Sequence, residues 1–502
     1  MSQPTFFSSR AARIAALLFL FITAFAIRLY DLTDPPLDFH PTRQLLSAVK
    51  ARALYFKTQP DGYSTQQLET GIRQARLKAQ VEPEILETIV AFTYRYTGEQ
   101  LWVARIYSSL FWIIGGVFLF LFIRKLISFD AAIFSTAYYL FFPYAIIASR
   151  SFQPDPLMVM MIIAFWWAFA RWVDNVPGPA SKSWIAAILA GILGGLAILV
   201  KFSAAFFVIG AALGLALSRL TWRELFRNGQ VWAMAILGVL PGAIYLINGL
   251  QGRLGDQFQG RFVPALLVNP FNYLQWMTKI DLAVGGFFVM LGLLGFFLAP
   301  DRRFRSLLFG LWGAYLVYGL YFDYHSATHD YYQLPLIPIV AVSLAPLGGW
   351  FFARLAEATV QGALRVAAYA ILVIGMVMMV WNVRNQMKTA DYRKDAVMWT
   401  QIGQLIQDKS VIGLVEDYGS PLEYWGYRTI PTWPYTGDTK YLMGGKFPTE
   451  ELFKEYSSKK DLFLITDFEE LDHQPALKEI LKKYPILENG DGFVIYGLRA
   501  LD

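Results

Sequence analysis

Pro35-Pro36-Leu37-Asp38-Phe39-His40-Pro41-Thr42-Arg43-Gln44 brings a carboxylate, an imidazole and a guanidinium together just after an apolar run. Such a set can move a proton or hold an anion. Three prolines fix their own φ and push the residues before them out of the helical region, so the stretch is expected to be extended. Further on, the turn Ser149-Arg150-Ser151-Phe152-Gln153-Pro154-Asp155-Pro156, a lone Lys201 in an apolar run, and His325 to Tyr332 carry the other reactive side chains. Lys201 against lipid would be costly, so it is expected to face an aqueous cavity. Asp155 between two prolines reads equally well as a helix breaker. His325 reads as a solvated loop residue, and His329, beside Asp330, Tyr331 and Tyr332, as the better ligand. Arg43 and Arg150 can pair with the acids or hold phosphate as planar forks. Asp38, His40 and Asp155 suit a divalent metal, although no ligand-spacing motif supports one.

The elements that position these residues are membrane helices. Hydrophobic residues make up 56% of the 502, charged residues only 16%, and mean hydropathy is +0.40, which excludes an ordinary soluble protein. The net charge of +6 comes without a basic run, so nucleic acid is not an expected partner. With no cysteine there is no disulfide framework and no thiolate site. The run Ile14 to Ile27 reads as an uncleaved anchor with Arg28 snorkelling to the interface, a cleaved leader being the alternative. Further apolar runs, including 131–148, 202–217, 282–298 and 307–322, bring the expected spans to about eleven. The basic turns between them, such as Arg124 and Lys125 or Arg302 and Arg303, put the amino terminus inside and the carboxyl-terminal region outside.

Between them, residues 31–101 form a long outer loop. In it Leu45, Val49, Ala53 and Phe56 predict an amphipathic helix on the membrane surface, and a further helix is expected from Pro83 to Gly98. Residues 1–390 are thus expected as the membrane domain. Residues 391–502 are expected as a small α/β domain, with strands at 411–415, 462–465 and 493–496 and a hairpin turn at Asn489-Gly490-Asp491-Gly492.

Taken in order, the acid after the first span, Gly98-Glu99-Gln100-Leu101-Trp102, Gln153-Pro154-Asp155, Leu199-Val200-Lys201-Phe202 and His329-Asp330-Tyr331-Tyr332-Gln333-Leu334-Pro335 resemble the GT-C glycosyltransferases. The similarity is greatest to glycosyltransferase family 39, which includes protein O-mannosyltransferases and lipid A aminoarabinose transferases. That resemblance implies inverting transfer of a sugar from a polyprenyl-phosphate carrier to a lipid, glycan or protein acceptor on the outer face of the cell membrane. It matches Asp38 to the first-loop catalytic acid and Asp155 to the second-loop acid. Many relatives have adjacent acids in the first loop where Phe39 and His40 stand here, so His40 competes with Asp38 as the base and metal dependence stays open. A carboxylate can activate the acceptor hydroxyl, and Arg43, Arg150 and Lys201 can meet the departing phosphate. The alternative function is a polyprenyl-linked lipid or sugar transporter or flippase, since intramembrane charges suit substrate passage too.

Overall fold

Apolar runs bounded by caps and prolines become helices in the computed structural model, which describes residues 5–80, 82–176, 180–250, 262–357, 362–437 and 448–499. Ser9 caps α1 (Arg10–Arg28) by accepting from the Ala12 amide. Then follow α2 (Pro41–Phe56), α3 (Thr65–Leu77), α4 (Ile85–Thr97), α5 (Trp102–Leu126), α6 (Phe129–Phe141), α7 (Pro143–Ala148), α8 (Asp155–Asn175), α9 (Ala180–Val200) and α10 (Ala204–Ala216). Beyond a short α11 (Trp222–Arg227) come α12 (Gly229–Leu250), α13 (Pro270–Val284), α14 (Gly286–Leu294), α15 (Arg302–Tyr321), α16 (Asp323–Thr328), α17 (Leu336–Glu357) and α18 (Gly362–Thr389).

Among the described residues seven helices are long and apolar enough to cross a membrane: α1, α5, α8, α9, α12, α17 with the turn before it, and α18. The pair α13 and α14, bent by 83°, would make an eighth. Several expected runs are not single long helices. Pro143, which has no amide hydrogen to give, separates α6 from α7. Gly285, at φ 72°, separates α13 from α14. The break foreseen at Lys201 is present, between the end of α9 and the start of α10. Past that break, α10 lies against α15: a Cβ on Gly210 would meet the Gly310 carbonyl oxygen at 2.5 Å, so glycine permits the approach.

Arg28 does not snorkel. It is fully buried, and its guanidinium donates to Ser149 Oγ (2.7 Å), the Ala24 carbonyl (2.8 Å) and the Leu140 carbonyl (3.0 Å). These acceptors satisfy the guanidinium N–H donors where they are buried.

The chain divides into two compact units. One comprises 1–32, 79–86 and 102–389; the other comprises 33–78, 87–101 and 390–502. Most of the long first loop therefore packs with the carboxyl-terminal segment. In this second unit α19 (Arg393–Leu405) leads into a four-stranded sheet of order β1-β2-β4-β3, with β1 (Val411–Leu414) parallel to β2 (Leu462–Ile465). The hairpin of β3 (Ile486–Gly490) and β4 (Phe493–Gly497) forms across the expected Asn-Gly-Asp-Gly turn, and β4 pairs antiparallel with β2. Strand β3 is an addition, since its exposed side chains left no burial signal to read. Trp399, Val411, Leu464 and Ile495 centre one apolar cluster, and Ile412, Trp433, Phe463 and Leu477 centre another.

Two local expectations are corrected. Helix α2 is not a surface helix on lipid: Gln44, Lys50 and Arg52 are buried along with its apolar residues, because it packs against α3 and the helix α20 (Ser420–Trp425). And residues 31–39 turn rather than extend. The Leu37 amide donates to the Pro35 carbonyl at 2.8 Å, Gln44 Nε2 holds the carbonyls of Pro36 (3.2 Å) and Phe39 (2.6 Å), and His40 sits at φ 45° to open α2.

Candidate active site

Within the first unit the helix break at Lys201 and the start of α8 face one another. Lys201 Nζ lies 2.8 Å from Asp155 Oδ1, with the two side chains 11% and 1% exposed. Pro154 and Pro156 set this first turn, so the carboxylate is delivered from a stiff backbone. The other oxygen, Asp155 Oδ2, has no hydrogen-bond partner among the described residues. Lys201 Nζ also stands 5.3 Å from the ring centre of Tyr331 and 5.2 Å from that of Tyr332, so the ammonium is held by a carboxylate and two π faces.

The rest of the 322–333 stretch extends this surface. His329 Nδ1 is 2.7 Å from Thr328 Oγ1; its ring stacks on His325 at 5.5 Å, and His325 lies 5.0 Å from Tyr332. His325 is thus part of the ring cluster rather than a solvated loop residue. Asp330 and Asp155 both act on Tyr144, the residue after the Pro143 break. Tyr144 was not foreseen; a proline-aromatic pair interrupting an apolar run was its one signal. Gln153, named from the sequence only as part of its turn and given no role, is fully buried, and neither side-chain amide atom has a hydrogen-bond partner among the described residues.

Arg150 has other work. It is 2% exposed, and Nη2 donates to the carbonyls of Tyr30 (2.8 Å) and Asp31 (3.0 Å), with Nη1 2.7 Å from Met387 Sδ. It ties the end of α1 to α18, so its guanidinium is directed at protein rather than at a phosphate.

The second unit carries Asp38, His40 and Arg43. Phe39 is buried and meets His40 edge to face at 4.6 Å. Asp38 lies near Tyr392, whose hydroxyl is held above its ordinary pKa by burial, by Asp38 and by Asp34, Asp395 and Asp417. Asp34 accepts from the Tyr392 amide at 3.0 Å and pairs with Arg393 at 3.4 Å. Asp417 is pushed up to about 6 by burial and by Asp467, with His40 opposing. Glu416 is pushed up to about 7 by partial desolvation and by Asp417, Asp467 and Asp395. Glu416 and Asp417 follow β1 and Asp467 follows β2, at the carboxyl ends of parallel strands, a position where open α/β sheets often bind ligands. That placement was readable from acids directly after two apolar strands.

No group of three or more acids or histidines among the described residues is arranged to hold a metal ion. The divalent-metal suggestion for Asp38, His40 and Asp155 therefore gains no support.

ArnT from Cupriavidus metallidurans, in its apo state, aligns over 96% of this chain and 98% of its own with a TM-score of 0.58, at 15% sequence identity. The chain has the GT-C glycosyltransferase fold. The same ArnT bound to undecaprenyl phosphate aligns at TM-score 0.55, 15% identity and 97% of each chain. The archaeal oligosaccharyltransferase AglB from Archaeoglobus fulgidus, in complex with an inhibitory peptide and a dolichol-phosphate, aligns at TM-score 0.53 and 12% identity over 91% of this chain and 70% of its own. Residues 82–247 match the family of dolichyl-phosphate-mannose-protein mannosyltransferases. No sequence match to a curated protein is found. The family match takes in Asp155 and Lys201 of this GT-C chain and stops short of Asp38 and of the 325–332 rings.

Proposed function

We propose that this chain is a membrane glycosyltransferase that moves a sugar from a polyprenyl-phosphate carrier to an acceptor hydroxyl, with inversion at the anomeric carbon, on the outer face of the membrane. The observation that carries the reading is the buried Lys201–Asp155 pair with Tyr331 and Tyr332 packed against the ammonium. An ammonium in this position offers three donors, of which Asp155 Oδ1 engages one. It is therefore suited to meet the phosphate of a lipid carrier. The ArnT and AglB structures that share the fold hold undecaprenyl phosphate and a dolichol-phosphate, which supports a carrier of that class.

In the proposed step the Asp38 carboxylate takes the proton of the acceptor hydroxyl. The oxygen attacks the anomeric carbon, the bond from that carbon to the phosphate oxygen breaks, and the electron pair leaves with the polyprenyl phosphate. Lys201 stabilises that developing charge; Asp155 positions Lys201; His40 is the competing base. Of the three expected phosphate cations the proposal keeps Lys201 and Arg43 and drops Arg150, whose guanidinium is bonded to the Tyr30 and Asp31 carbonyls.

A carrier-dependent transfer assay on the purified protein tests this reading. Asp38→Asn should bind carrier nearly as the native chain does and transfer about 10² to 10⁴ times more slowly, while Lys201→Met should lose carrier binding as well. Normal turnover by Asp38→Asn with loss in His40→Gln would move the base to His40. Passage of a lipid-linked sugar across a vesicle membrane without any transfer would replace the reading with a transporter.

A further inference from the structure

The end of α8 opposite Asp155 carries a second polar feature. Leu121, Arg124, Lys125, Trp167, Arg171 and Asn175 line a cavity of about 330 Å³ between the carboxyl-terminal ends of α5 and α8. Asp155 begins and Asn175 ends this 21-residue helix, roughly 30 Å apart, which matches the hydrocarbon thickness of a bilayer. The cavity therefore belongs to the other membrane interface and is no part of the Lys201 site.

Its charge is not balanced by protein. Asp174 is already shared by Lys125 (2.7 Å), Arg303 (2.6 Å) and Arg219 (3.8 Å). Arg124 and Arg171 have no acidic partner among the described residues, although Arg171 lies over the Trp167 ring at 4.8 Å. Two helix carboxyl termini contribute roughly half a negative charge each. That is too little to offset the cations gathered here, so the lining carries a net positive charge. The lining also continues into an apolar track: Val117 and Ile114 follow Leu121 on the same face of α5 and are 40% and 41% exposed. A free anion has no use for such a track, whereas an acyl chain does.

We propose that this cavity binds the phosphate headgroup of an anionic phospholipid, with Arg124, Arg171 and the Asn175 amide on the phosphate, Trp167 at the interface, and an acyl chain along Leu121, Val117 and Ile114. The volume lies at the lower end of the range of small-ligand clefts, roughly 300 to 1,000 Å³, enough for a headgroup with its chains outside. Basic pockets between membrane helices are suited to anionic headgroups, and each cation is worth about a fivefold gain in affinity.

The full-length protein, purified in a zwitterionic detergent, is titrated with dioleoyl phosphatidylglycerol or dioleoyl phosphatidylcholine, and bound lipid is counted by native mass spectrometry. The native chain should retain phosphatidylglycerol in preference to phosphatidylcholine. Arg124→Gln and Arg171→Gln should each weaken it about fivefold and the double variant about 25-fold, with phosphatidylcholine unaffected. Arg124→Lys/Arg171→Lys, which keeps both charges, should hold the preference, separating headgroup recognition from damage to the fold. Equal retention of the two lipids, or a double glutamine variant that binds as the native chain does, would overturn the proposal. Displacement of the lipid by millimolar inorganic phosphate would also overturn it, by making the cavity a free-anion site.

Discussion

Lys201 and Asp155 form a pair that neither residue can leave without penalty. Removing one partner of a buried ion pair strands the other charge, at a cost of about 3–5 kcal/mol, whereas removing both is often nearly neutral. Lys201→Met is therefore expected to lower stability by about 3 kcal/mol. Asp155→Asn/Lys201→Met should regain most of this in a thermal-unfolding series, with sugar transfer absent from both. A double variant as unstable as the single one would mean that the pair is not the stabilising unit. Asp417 allows a test by pH. Its folded pKa of about 6 lies above the ordinary carboxylate value, so the fold binds a proton more tightly than the unfolded chain does. Its stabilising contribution is full below the unfolded value, near pH 4, and is lost as pH rises through about 6. Asp417→Asn should flatten that part of the melting-temperature profile, and an unchanged slope between pH 4 and 7 would refute the assignment.

At the scale of elements, Arg52 fastens α2 inside the second unit. Its Nε lies 2.7 Å from Glu99 Oε1, and its guanidinium is 3.7 Å from the ring centre of Tyr424 and 4.7 Å from that of Tyr427. Arg52→Met leaves Glu99, 8% exposed, without this cation and should cost about 3 kcal/mol or more. Arg52→Lys keeps the charge but loses the planar stack, so it should fall between the two. A flat series by denaturant unfolding would show that the stack contributes nothing. The two apolar clusters around the sheet draw only on residues from Met398 to Leu498. The fragment 391–502 is therefore expected to show an α/β circular dichroism spectrum with a cooperative melt, and no transferase activity. An unstructured fragment would mean that α2 and α4 are required for the sheet to form.

At the scale of the whole molecule the basic turns predict an orientation. The chain has no cysteine, so single cysteines can be labelled without background. Phe152 is a poor reporter, being 1% exposed; Gln66 and Gln407 in the second unit, and Arg223 and Asp301 in the first, are exposed. An impermeant maleimide on intact cells should label Gln66→Cys and Gln407→Cys, and reach Arg223→Cys and Asp301→Cys only after permeabilisation. The reverse pattern would place the proposed site on the inner face.

Composition alone determined that this chain is a polytopic membrane protein, because 16% charged residues and a mean hydropathy of +0.40 leave too little polar surface for a soluble fold of this length. The break at Lys201, the hairpin after β3 and strands β1, β2 and β4 were also legible, since each rests on local rules: a charge in an apolar run, an Asn-Gly turn, a short apolar block. Arg28 and Arg150 were not. Whether a buried guanidinium serves a substrate or the backbone depends on which carbonyls the fold brings to it, and those carbonyls lie 112 and 120 residues away from their donors in the cases of Leu140 and Tyr30. The same holds for α2, whose charged residues look solvated until a helix some 370 residues later supplies the Tyr424 carbonyl and ring against Arg52. Periodicity reports which face of a helix is apolar; only tertiary packing decides whether that face meets lipid or protein, since the two are equally favourable to an apolar side chain.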